Sequence, residues 1–366
     1  MKLLYVNIIH PVEKKETGGS FINKRNISIL RTIYGEDNFI IYDMIYYSSA
    51  IQTLKNTVFG RAGGYKKEDL KKIVKIIKEK KISIVFIGFS NAGTLAKDLK
   101  KKCPSIKIIT FCHNNEYIFL KQSLKSFSFI KRISYSFNVH ATYISEKNAC
   151  KYSDFLITIN QRDSDVFLKL YGRKADYTIP ISFDDNCNLD RAKNTQNEEY
   201  FILFVGSNFF GNTEGLFWFI ESCMPKIQQQ LIVVGSGMDI YKDKYPNMNV
   251  TFLGYVDDLS EYYYKASAVV LPIISGSGMK TKTCEALMYG KTIFGTKEAF
   301  EGYECDYDKI GNLCTTSEDF IENINSFFNK NKNIYNDYSR SIYESNYSNK
   351  VITEKVHAFL RERELI

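Results

Sequence analysis

The most informative stretch of the sequence is Leu271-Pro-Ile-Ile-Ser-Gly-Ser-Gly-Met-Lys-Thr-Lys-Thr-Cys-Glu-Ala-Leu-Met-Tyr-Gly290. A short apolar run ends at Leu271, glycines and serines follow up to Gly278, and a helical pattern opens near Lys280. This order predicts a buried strand, a loop and a helix. Backbone N–H groups of such a loop can approach an anion closely, and the helix N-terminus adds about half a positive charge. The stretch therefore predicts an anion-binding loop.

Two lysines strengthen this prediction. Lys280 and Lys282 lie in the first turn of the predicted helix with no acidic residue beside them, although cations there are disfavoured by roughly 0.3 to 1 kcal/mol each. We therefore expect a dianion to bind at this turn. Glu285, about one turn beyond Lys282, is placed to accept two hydrogen bonds from ribose hydroxyls, as acidic residues do in other nucleotide sites. The alternative is a plain strand–loop–helix connection with solvent-exposed lysines.

The rest of the chain repeats this alternation of short apolar runs and amphipathic segments. Fully apolar strands that alternate with helices favour parallel sheets covered on both faces, and such sheets bind ligands outside the carboxyl ends of their strands. We predict two doubly wound α/β domains in tandem. The predicted strands are residues 3–9, 39–42, 82–88, 106–111, 155–159, 177–179, 201–205, 230–234, 250–253, 268–271, 292–294 and 311–314. The predicted helices are residues 20–33, 67–80, 91–102, 164–171, 214–222, 260–265, 280–289 and 318–329.

Breaks in this alternation predict the domain boundaries. An N-terminal domain would span residues 1–183, a polar linker residues 184–199, and a C-terminal domain residues 200–348. The last segment, 349–366, has one apolar face. We expect it to form a helix that packs back on the N-terminal domain. That face consists of Val351, Ile352, Val356, Phe359 and Leu360.

Length and composition exclude several classes of protein. A chain of 366 residues with 44% hydrophobic and 25% charged residues is long enough for two or three globular domains. No uncharged apolar stretch approaches the roughly 18 residues of a membrane-spanning helix, and the N-terminus is predicted to be a buried strand rather than a signal peptide. The eight scattered cysteines fit neither a metal knuckle nor a disulfide framework. We expect a cytoplasmic protein.

The two halves of the chain carry opposite net charges. Residues 1–180 hold 31 Lys and Arg against 15 Asp and Glu, a net charge of +16, and the remaining residues carry −8. Within the basic half, the stretch 119–135 mixes basic and aromatic side chains. This mixture suits the surface of an anionic membrane, and the alternative is an ordinary helix core.

The stretch 275–290 and several other segments resemble the nucleotide-sugar signature of retaining glycosyltransferases with the GT-B fold, glycosyltransferase family 4 (glycosyl transferases group 1) in particular. The segments of the second half occur in the expected order and spacing, and those of the first half match more loosely. The second-half segments are Phe204-Val-Gly-Ser-Asn-Phe-Phe-Gly-Asn-Thr-Glu-Gly-Leu-Phe-Trp-Phe219, Val233-Val-Gly-Ser-Gly237, Phe252-Leu-Gly-Tyr-Val-Asp-Asp-Leu259 and Ala299-Phe-Glu-Gly302. The first-half segments are Gly18-Gly-Ser20 and Phe111-Cys-His-Asn-Asn-Glu-Tyr117. The resemblance implies two Rossmann-like domains that face each other across a cleft.

The resemblance also implies roles for residues of the C-terminal, donor-binding domain. Glu285 would bind the donor ribose, Lys280 and Lys282 would neutralise the diphosphate, and Tyr255 and Val256 would frame the base. The other residues that it implies for donor binding are Ser207, Gly276, Ser277, Gly278 and Met279.

In the N-terminal, acceptor-binding domain, the resemblance implies two further groups. Gly18 and Gly19 open the first helix and would let backbone amides approach the diphosphate. His113 matches the position beside the donor sugar, near the reacting carbon, and Asn114 and Glu116 share its loop as further candidates. Taken without the resemblance, His113 also fits a hydrogen-bonded structural residue just past an apolar strand.

The sequence departs from the family pattern at two points. Many members carry two acidic residues eight positions apart, the first of which contacts the donor sugar, whereas here the position eight residues before Glu285 is Ser277. Many also carry an Arg and a Lys in the loop after the first strand of the second domain. Here that loop begins with Ser207 and contains no cation up to Glu214. Lys280 and Lys282 are the obvious replacements, and no Asp-x-Asp motif stands out. We therefore expect the lysines and the helix dipole to stabilise the leaving group without a metal or another cofactor.

These features predict a glycosyltransferase that moves a sugar from a nucleoside diphosphate sugar to a glycan or lipid-linked glycan, with a UDP-sugar favoured as the donor and a GDP-sugar as the alternative. Retention of anomeric configuration is implied by the resemblance. We expect a peripheral enzyme of bacterial surface polysaccharide biosynthesis at the inner face of the plasma membrane, with no nucleic-acid partner. One alternative is a nucleotide-sugar epimerase of the same fold. The other is a non-catalytic basic protein that binds nucleic acid or anionic lipid.

Overall fold

The computed structural model describes residues 1–9, 18–45, 57, 60–62, 66–124, 128–195, 200–330 and 334–366, with residues 18, 130 and 134 described by their backbone alone. The chain divides into two compact units. One unit is Met1–Pro180 with Ile352–Ile366, and the other is Ile181–Val351. The predicted polar linker contains a short helix, Leu189–Asn194, and part of that linker, 196–199, lies outside the described residues.

The first unit is built on one parallel six-stranded sheet. Its strands are β1 (Leu3–Ile9), β2 (Phe39–Ile45), β3 (Ile84–Ile87), β4 (Lys107–Cys112), β5 (Phe155–Thr158) and β6 (Tyr177–Thr178). They are ordered β2-β1-β3-β4-β5-β6, so the strand order reverses between β1 and β3. All four side chains of β3 are buried, because helices cover both faces of the sheet. These helices include α1 (Gly18–Tyr34), α2 (Lys67–Lys80), α3 (Gly93–Lys102), α4 (Glu116–Ser123), α5 (Phe129–Tyr152) and α6 (Gln161–Tyr171).

The long helix α5 was not predicted from the sequence. Its second half is buried through small and polar side chains such as Ala141, Ser145 and Ala149, which leave no apolar periodicity to detect. These small residues let α3 approach closely, since a Cβ at Gly93 would lie 2.2 Å from the backbone oxygen of Ser145. The helix is therefore specified by close packing rather than by an amphipathic pattern. Residues 125–127 of the basic and aromatic stretch before it lie outside the described residues.

The second unit repeats the doubly wound design. Its strands are β7 (Phe201–Val205), β8 (Gln230–Val234), β9 (Val250–Gly254), β10 (Ala268–Leu271), β11 (Thr292–Gly295) and β12 (Gly311–Leu313). They form a parallel sheet in the order β12-β11-β10-β7-β8-β9, so the strand order reverses between β10 and β7. The prediction of two doubly wound domains is confirmed. The helices of this unit include α7 (Leu189–Asn194), α8 (Phe210–Ser222), α9 (Ser260–Lys265), α10 (Thr281–Met288), α11 (Tyr307–Ile310), α12 (Ser317–Lys330) and α13 (Asp337–Ile342).

The last helix, α14 (Asn349–Glu362), continues from the second unit into the first. Its Phe359 ring stacks on Tyr177 with 4.5 Å between the ring centroids and meets Phe155 edge-on. Beyond the helix, the Tyr34 hydroxyl donates to the backbone oxygen of Leu365 at 3.0 Å. The C-terminus thus completes the core of the first unit. Among the described residues, no helix is long and apolar enough to cross a membrane.

Candidate functional site

The strand order of the second unit defines the location of its candidate site. In open parallel sheets, ligands bind outside the carboxyl ends of the strands at the point where the order reverses. Here that point lies between β10 and β7. The loop after β10 leads to α10, and the loop after β7 leads to α8. The stretch singled out in the sequence therefore lies at the topological switch point of its sheet.

Glycines let the loop after β10 take its course. Gly276 and Gly278 have φ angles of 155° and 64°, in a region that favours glycine. A Cβ at Gly215 of α8 would lie 1.7 Å from the backbone oxygen of Pro272, so α8 packs directly against the start of the loop. The side chain of Met279 is buried beneath its end. The loop is thus held between two helices.

Lys280 is the N-cap of α10 and has an acidic neighbour. Its Nζ donates to Glu298 Oε1 at 2.7 Å and to the backbone oxygens of Gly278 and Ser277 at 3.0 and 3.4 Å. The expectation that neither lysine has an acidic residue beside it is therefore wrong for Lys280. Glu298 follows 18 residues later, in the loop after β11, which the local sequence could not place beside the helix. The unfavourable position of a cation in the first turn applies to Lys282 alone.

Lys282 lies inside the first turn of α10 and is partly buried. Its Nζ lies 5.2 Å from the centroid of the Phe204 ring and donates to Asn212 Oδ1. Desolvation lowers the pKa of Lys282 to about 7, and the positive charge of Lys280 acts in the same direction, while Glu285 opposes it. A bound anion would favour the protonated form of this side chain.

Asn212 was not identified from the sequence, although it positions Lys282. Its Nδ2 donates to the backbone oxygen of Ser207 at 2.9 Å, while its Oδ1 accepts from Lys282. Asn212 therefore joins the loop after β7, which contains the predicted Ser207, to the start of α10. Its location within the segment 204–219, which carries the family resemblance, was the only available signal.

Glu285 lies one turn into α10. Its Oε2 accepts a hydrogen bond of 3.0 Å from the buried Tyr263 hydroxyl, and the Tyr263 ring stacks on Tyr289 with 4.8 Å between centroids. Desolvation raises the pKa of Glu285 to about 7, and the Tyr263 hydrogen bond and the charge of Lys282 act against this shift. Glu285 is thus held by a rigid aromatic pair.

Two carboxylates flank the loop after β10. On one side Glu298 contacts Lys280, and on the other Glu214 of α8 accepts a hydrogen bond of 2.9 Å from the Ser275 hydroxyl. Neither was identified from the sequence as a site residue. The chemical groups gathered at the switch point are two lysines, three carboxylates and the backbone of a glycine loop.

Tyr255 and Val256 lie further along the same sheet edge. They follow β9, which is separated from β7 by β8 and is therefore about 10 Å away from it at the usual strand spacing. Tyr255 is 73% exposed. The backbone N–H of Gly235, after β8, donates to the oxygen of Gly254 at 2.7 Å, which ties the two loops together.

In the first unit, the predicted residues His113, Asn114 and Glu116 follow the carboxyl end of β4. The His113 ring is buried edge-on against Phe89, with 4.7 Å between centroids, and its Nε2 lies 3.9 Å from Glu116 Oε1. Asn114 Nδ2 donates to the same oxygen at 3.1 Å. Burial lowers the pKa of His113 to about 4, so its imidazole is neutral at pH 7.

A buried carboxylate that the sequence did not reveal holds this loop. Glu146 of α5 accepts hydrogen bonds from the backbone N–H groups of Glu116 and Tyr117 and from the hydroxyls of Ser90 and Tyr171, at 2.7 to 3.3 Å. Desolvation raises the pKa of Glu146 to about 7. Desolvation and the neighbouring Glu146 raise the pKa of Glu116 to about 8. Glu116 is therefore largely protonated at neutral pH.

Gly18 and Gly19 are the first residues of α1, as predicted. This helix follows β1, next to the point where the strand order of the first sheet reverses. Residues 10–17, between β1 and α1, lie outside the described residues. The predicted site residues thus form one group in each unit. Across the described parts of both units, no group of three or more His, Cys, Asp or Glu side chains is arranged to hold a metal ion.

Comparisons with known proteins bear on this arrangement. Residues 199–330 match the family model described as glycosyl transferases group 1. The solved structures of HepE from Anabaena with UDP and with UDP-glucose each share 16% sequence identity with the chain and cover 99% of it and 100% of their own chain, with TM-scores of 0.69 and 0.66. The lipopolysaccharide outer core galactosyltransferase WaaB has 14% identity, the same coverage and a TM-score of 0.67. No curated protein sequence matches. The predicted GT-B fold is confirmed.

Proposed function

We propose that this chain, a glycosyltransferase of the GT-B fold, transfers a sugar from a nucleoside diphosphate sugar, preferentially a UDP-sugar, to a hydroxyl of a glycan or lipid-linked glycan. The observation that carries the proposal is the cluster at the switch point of the second sheet. There the glycine loop leads into α10, and the first two turns of this helix carry Lys282 and Glu285. All of these residues lie within the part of the chain that matches the family model. The UDP and UDP-glucose in the two HepE structures support the choice of base.

Each part of a nucleoside diphosphate has a suitable partner in this cluster. The diphosphate is an anion, and Lys282, the loop amides and the N-terminus of α10 offer it positive charge. The ribose offers two hydroxyl donors, and the Glu285 carboxylate is an acceptor that Tyr263 leaves partly available. Tyr255, exposed after β9, offers an aromatic surface for the base. Lys280 adds positive charge to the same loop.

The reaction requires charge stabilisation more than acid–base chemistry. Breaking the bond between sugar and diphosphate leaves negative charge on the diphosphate, and preorganised ammonium and N–H donors stabilise it as it develops. By the family resemblance, His113 would lie beside the donor sugar and the configuration would be retained. A neutral His113 acts there as a hydrogen-bonding group and not as a cation, because burial keeps its pKa near 4. Glu146 holds the loop that carries it.

The exposed start of α5 suits a membrane surface. Phe129, Ile133 and Phe137 are 75%, 52% and 49% exposed, and their spacing of four residues puts them on one face of the helix as an exposed stripe. Lys131 and Arg132 are exposed on the same turns. Apolar side chains flanked by basic ones are typical of helices that lie in the interface of an anionic bilayer. We therefore propose that the enzyme binds the inner face of the plasma membrane.

A lipid-linked acceptor would be presented at that membrane face. The net charge of +16 on residues 1–180 favours an anionic surface or an acceptor that carries a pyrophosphate. WaaB, which shares the fold, is named as a lipopolysaccharide galactosyltransferase, and this supports a role in surface polysaccharide assembly. Such a role fits a cytoplasmic, peripheral enzyme.

The first test is a thermal-shift panel of UDP, GDP, ADP, dTDP and their common sugars. A ligand at about 100 times its dissociation constant stabilises a fold by about 2.7 kcal/mol. We expect a shift with UDP or a UDP-sugar that is lost in Glu285→Ala and kept in Glu322→Ala, which changes an exposed residue of α12. A cooperative melt with no shift for any nucleotide would contradict the proposal. Conversion of a bound UDP-sugar into its epimer without transfer would favour the epimerase.

A further inference from the structure

Glu298 places a carboxylate against the glycine loop. Its Oε1 lies 2.7 Å from Lys280 Nζ and 3.6 Å from the position that a Cβ on Gly276 would occupy. The Glu298 side chain is 19% exposed and that of Lys280 is 12% exposed, so the pair is mostly buried and keeps a small exposed fraction. The carboxylate therefore borders the loop at Gly276, next in sequence to Ser277, the position where the family pattern has an acidic residue.

A short turn after β11 holds Glu298 in place. The Thr296 backbone N–H donates to the oxygen of Leu271 at 3.2 Å, and the Ala299 N–H donates back to Thr296 at 3.0 Å. The Thr283 hydroxyl of α10 donates to the Ala299 oxygen at 2.7 Å. The turn is thus bonded both to the end of β10 and to α10. These bonds fix the backbone on both sides of Glu298.

The ammonium group of Lys280 is engaged by one carboxylate and two backbone oxygens. An ammonium has three N–H donors, and Lys280 directs its Nζ to Glu298 and to the backbone oxygens of Gly278 and Ser277. To bind a phosphate, Lys280 would have to give up one of these acceptors. Lys282 donates to the Asn212 side-chain amide and lies over the Phe204 ring, and among the described residues it forms no ion pair with a carboxylate. The two lysines are therefore suited to different tasks.

We propose that Glu298 recognises the donor sugar by accepting hydrogen bonds from its hydroxyl groups, and that Lys280 orients this carboxylate while Lys282 meets the diphosphate. Sugar hydroxyls are neutral donors, and an ionised carboxylate is the strongest acceptor that a protein offers them. A carboxylate supplied by the loop after β11 would perform the task that Ser277 cannot. The inference rests on the proposed function, because it assigns the sugar-binding part of the same site.

The test compares the affinity for a nucleotide with the affinity for its sugar-linked form. Calorimetric titrations of UDP, UDP-glucose, UDP-galactose and UDP-N-acetylglucosamine would be made with the wild type, Glu298→Gln and the matched control Glu322→Gln, which changes an exposed carboxylate of α12 outside the candidate site. We expect Glu298→Gln to weaken the preferred UDP-sugar by about tenfold and to leave UDP within about threefold, since only the sugar loses a charged acceptor. Glu322→Gln should change neither affinity.

The outcomes separate this inference from the function on which it rests. Equal changes for UDP and the UDP-sugar in Glu298→Gln would reduce Glu298 to a counter-ion of Lys280 and overturn the inference alone. No binding of any UDP compound to the folded wild type would instead overturn the proposed donor. A second variant, Lys280→Gln, keeps the inference testable if Glu298→Gln fails to fold. It should also weaken the UDP-sugar more than UDP, because the orienting ammonium is lost.

Discussion

Lys282 and Glu285 are side chains of opposite charge type on the first two turns of α10. Burial shifts the pKa values of both groups toward neutral pH. Desolvation lowers the pKa of Lys282 to about 7 and raises the pKa of Glu285 to about 7. A buried anion site that carried a full ammonium charge without a ligand would be costly. We therefore expect Lys282 and Glu285 to be fully ionised most readily when a diphosphate and a ribose are bound.

These pKa values predict a maximum in donor affinity near pH 7. Lys282 loses its proton above about pH 7, so the affinity for the diphosphate should fall as the pH rises, by up to about tenfold per unit. Glu285 is protonated below about pH 7, so the ribose contact should weaken as the pH falls. Calorimetric titration of UDP-glucose between about pH 5.5 and pH 9 measures both limbs. UDP-glucose is a better probe than UDP for this experiment, because the diphosphate of a UDP-sugar does not titrate in this pH range.

Two variants assign the limbs. Lys282→Arg should flatten the alkaline limb, since an arginine stays charged, and Glu285→Gln should remove the acidic limb. An unchanged profile in both variants would show that other groups titrate, and would contradict the roles given to these two residues.

Three polar contacts at residue scale could not be predicted. Asn212 and Lys282 are 70 residues apart, Glu146 and the Glu116 N–H are 30 apart, and Glu298 and Lys280 are 18 apart. Each contact depends on which strands are neighbours, because the residues lie on loops and helices that follow different strands. Local pattern identified the lysines and Glu285 as candidates but not the side chains that hold them.

At the scale of elements, the contact between α8 and the loop after β10 depends on a glycine. A Cβ at Gly215 would lie 1.7 Å from the oxygen of Pro272. Gly to Ala inside a helix is normally favourable by up to about 1 kcal/mol. Here we expect Gly215→Ala to destabilise the protein by about 1 to 3 kcal/mol, because the helix must shift away from the loop.

Thermal unfolding of Gly215→Ala and of the control Ser222→Ala measures this effect. Ser222 is exposed at the end of the same helix, so its variant should melt like the wild type. The affinity of Gly215→Ala for the donor should also fall, since α8 carries Asn212. A stabilised Gly215→Ala protein would show that this packing tolerates a methyl group.

Helix α5 has two halves with different tasks. Its second half packs closely on α3 and carries Glu146, while its first turns expose the stripe formed by Phe129, Ile133 and Phe137. The basic and aromatic composition drew attention to part of this stretch, but only the structure shows that the apolar side chains share one exposed face. Phe129, Tyr135 and Phe137 are therefore not core residues of this unit.

The stripe predicts binding to anionic vesicles. Replacing Phe129, Ile133 and Phe137 together by serine should lower binding to phosphatidylglycerol-containing vesicles at least about tenfold, because interfacial binding grows with the apolar area buried. Co-sedimentation measures the bound fraction. The control Leu168→Ser changes an exposed apolar residue of α6 and should bind like the wild type. Equal loss in both variants, or none in the triple variant, would contradict the membrane role of α5.

In the molecule as a whole, the two units differ in net charge and in the candidate residues that they contain. The basic residues 1–180 include the stripe and His113, and the acidic remainder includes the glycine loop. By the proposed function, the acidic unit would need locally placed positive charge to bind an anionic donor, and Lys282 and the α10 N-terminus would supply it.

This arrangement predicts that catalysis persists in a chelator. We expect the rate of sugar transfer in EDTA to stay within about twofold of the rate with added Mg²⁺ or Mn²⁺, because ammonium groups stabilise the leaving diphosphate. Sugar transfer to an acceptor, followed with a radiolabelled UDP-sugar, is the measurement. Loss of activity in EDTA that Mn²⁺ restores would show that the lysines do not suffice.

The two parallel sheets, the glycine loop and the helix that follows it could be predicted from local patterns, because apolar periodicity and glycine placement are local properties of the chain. The same patterns singled out Lys282 and Glu285, three residues apart on one helix. Three contacts became evident in the folded structure alone: Lys280 pairs with Glu298, Asn212 accepts from Lys282, and Glu146 accepts from the backbone of the His113 loop. Such contacts join residues that strand order and helix packing bring together, and no local pattern in the chain encodes them.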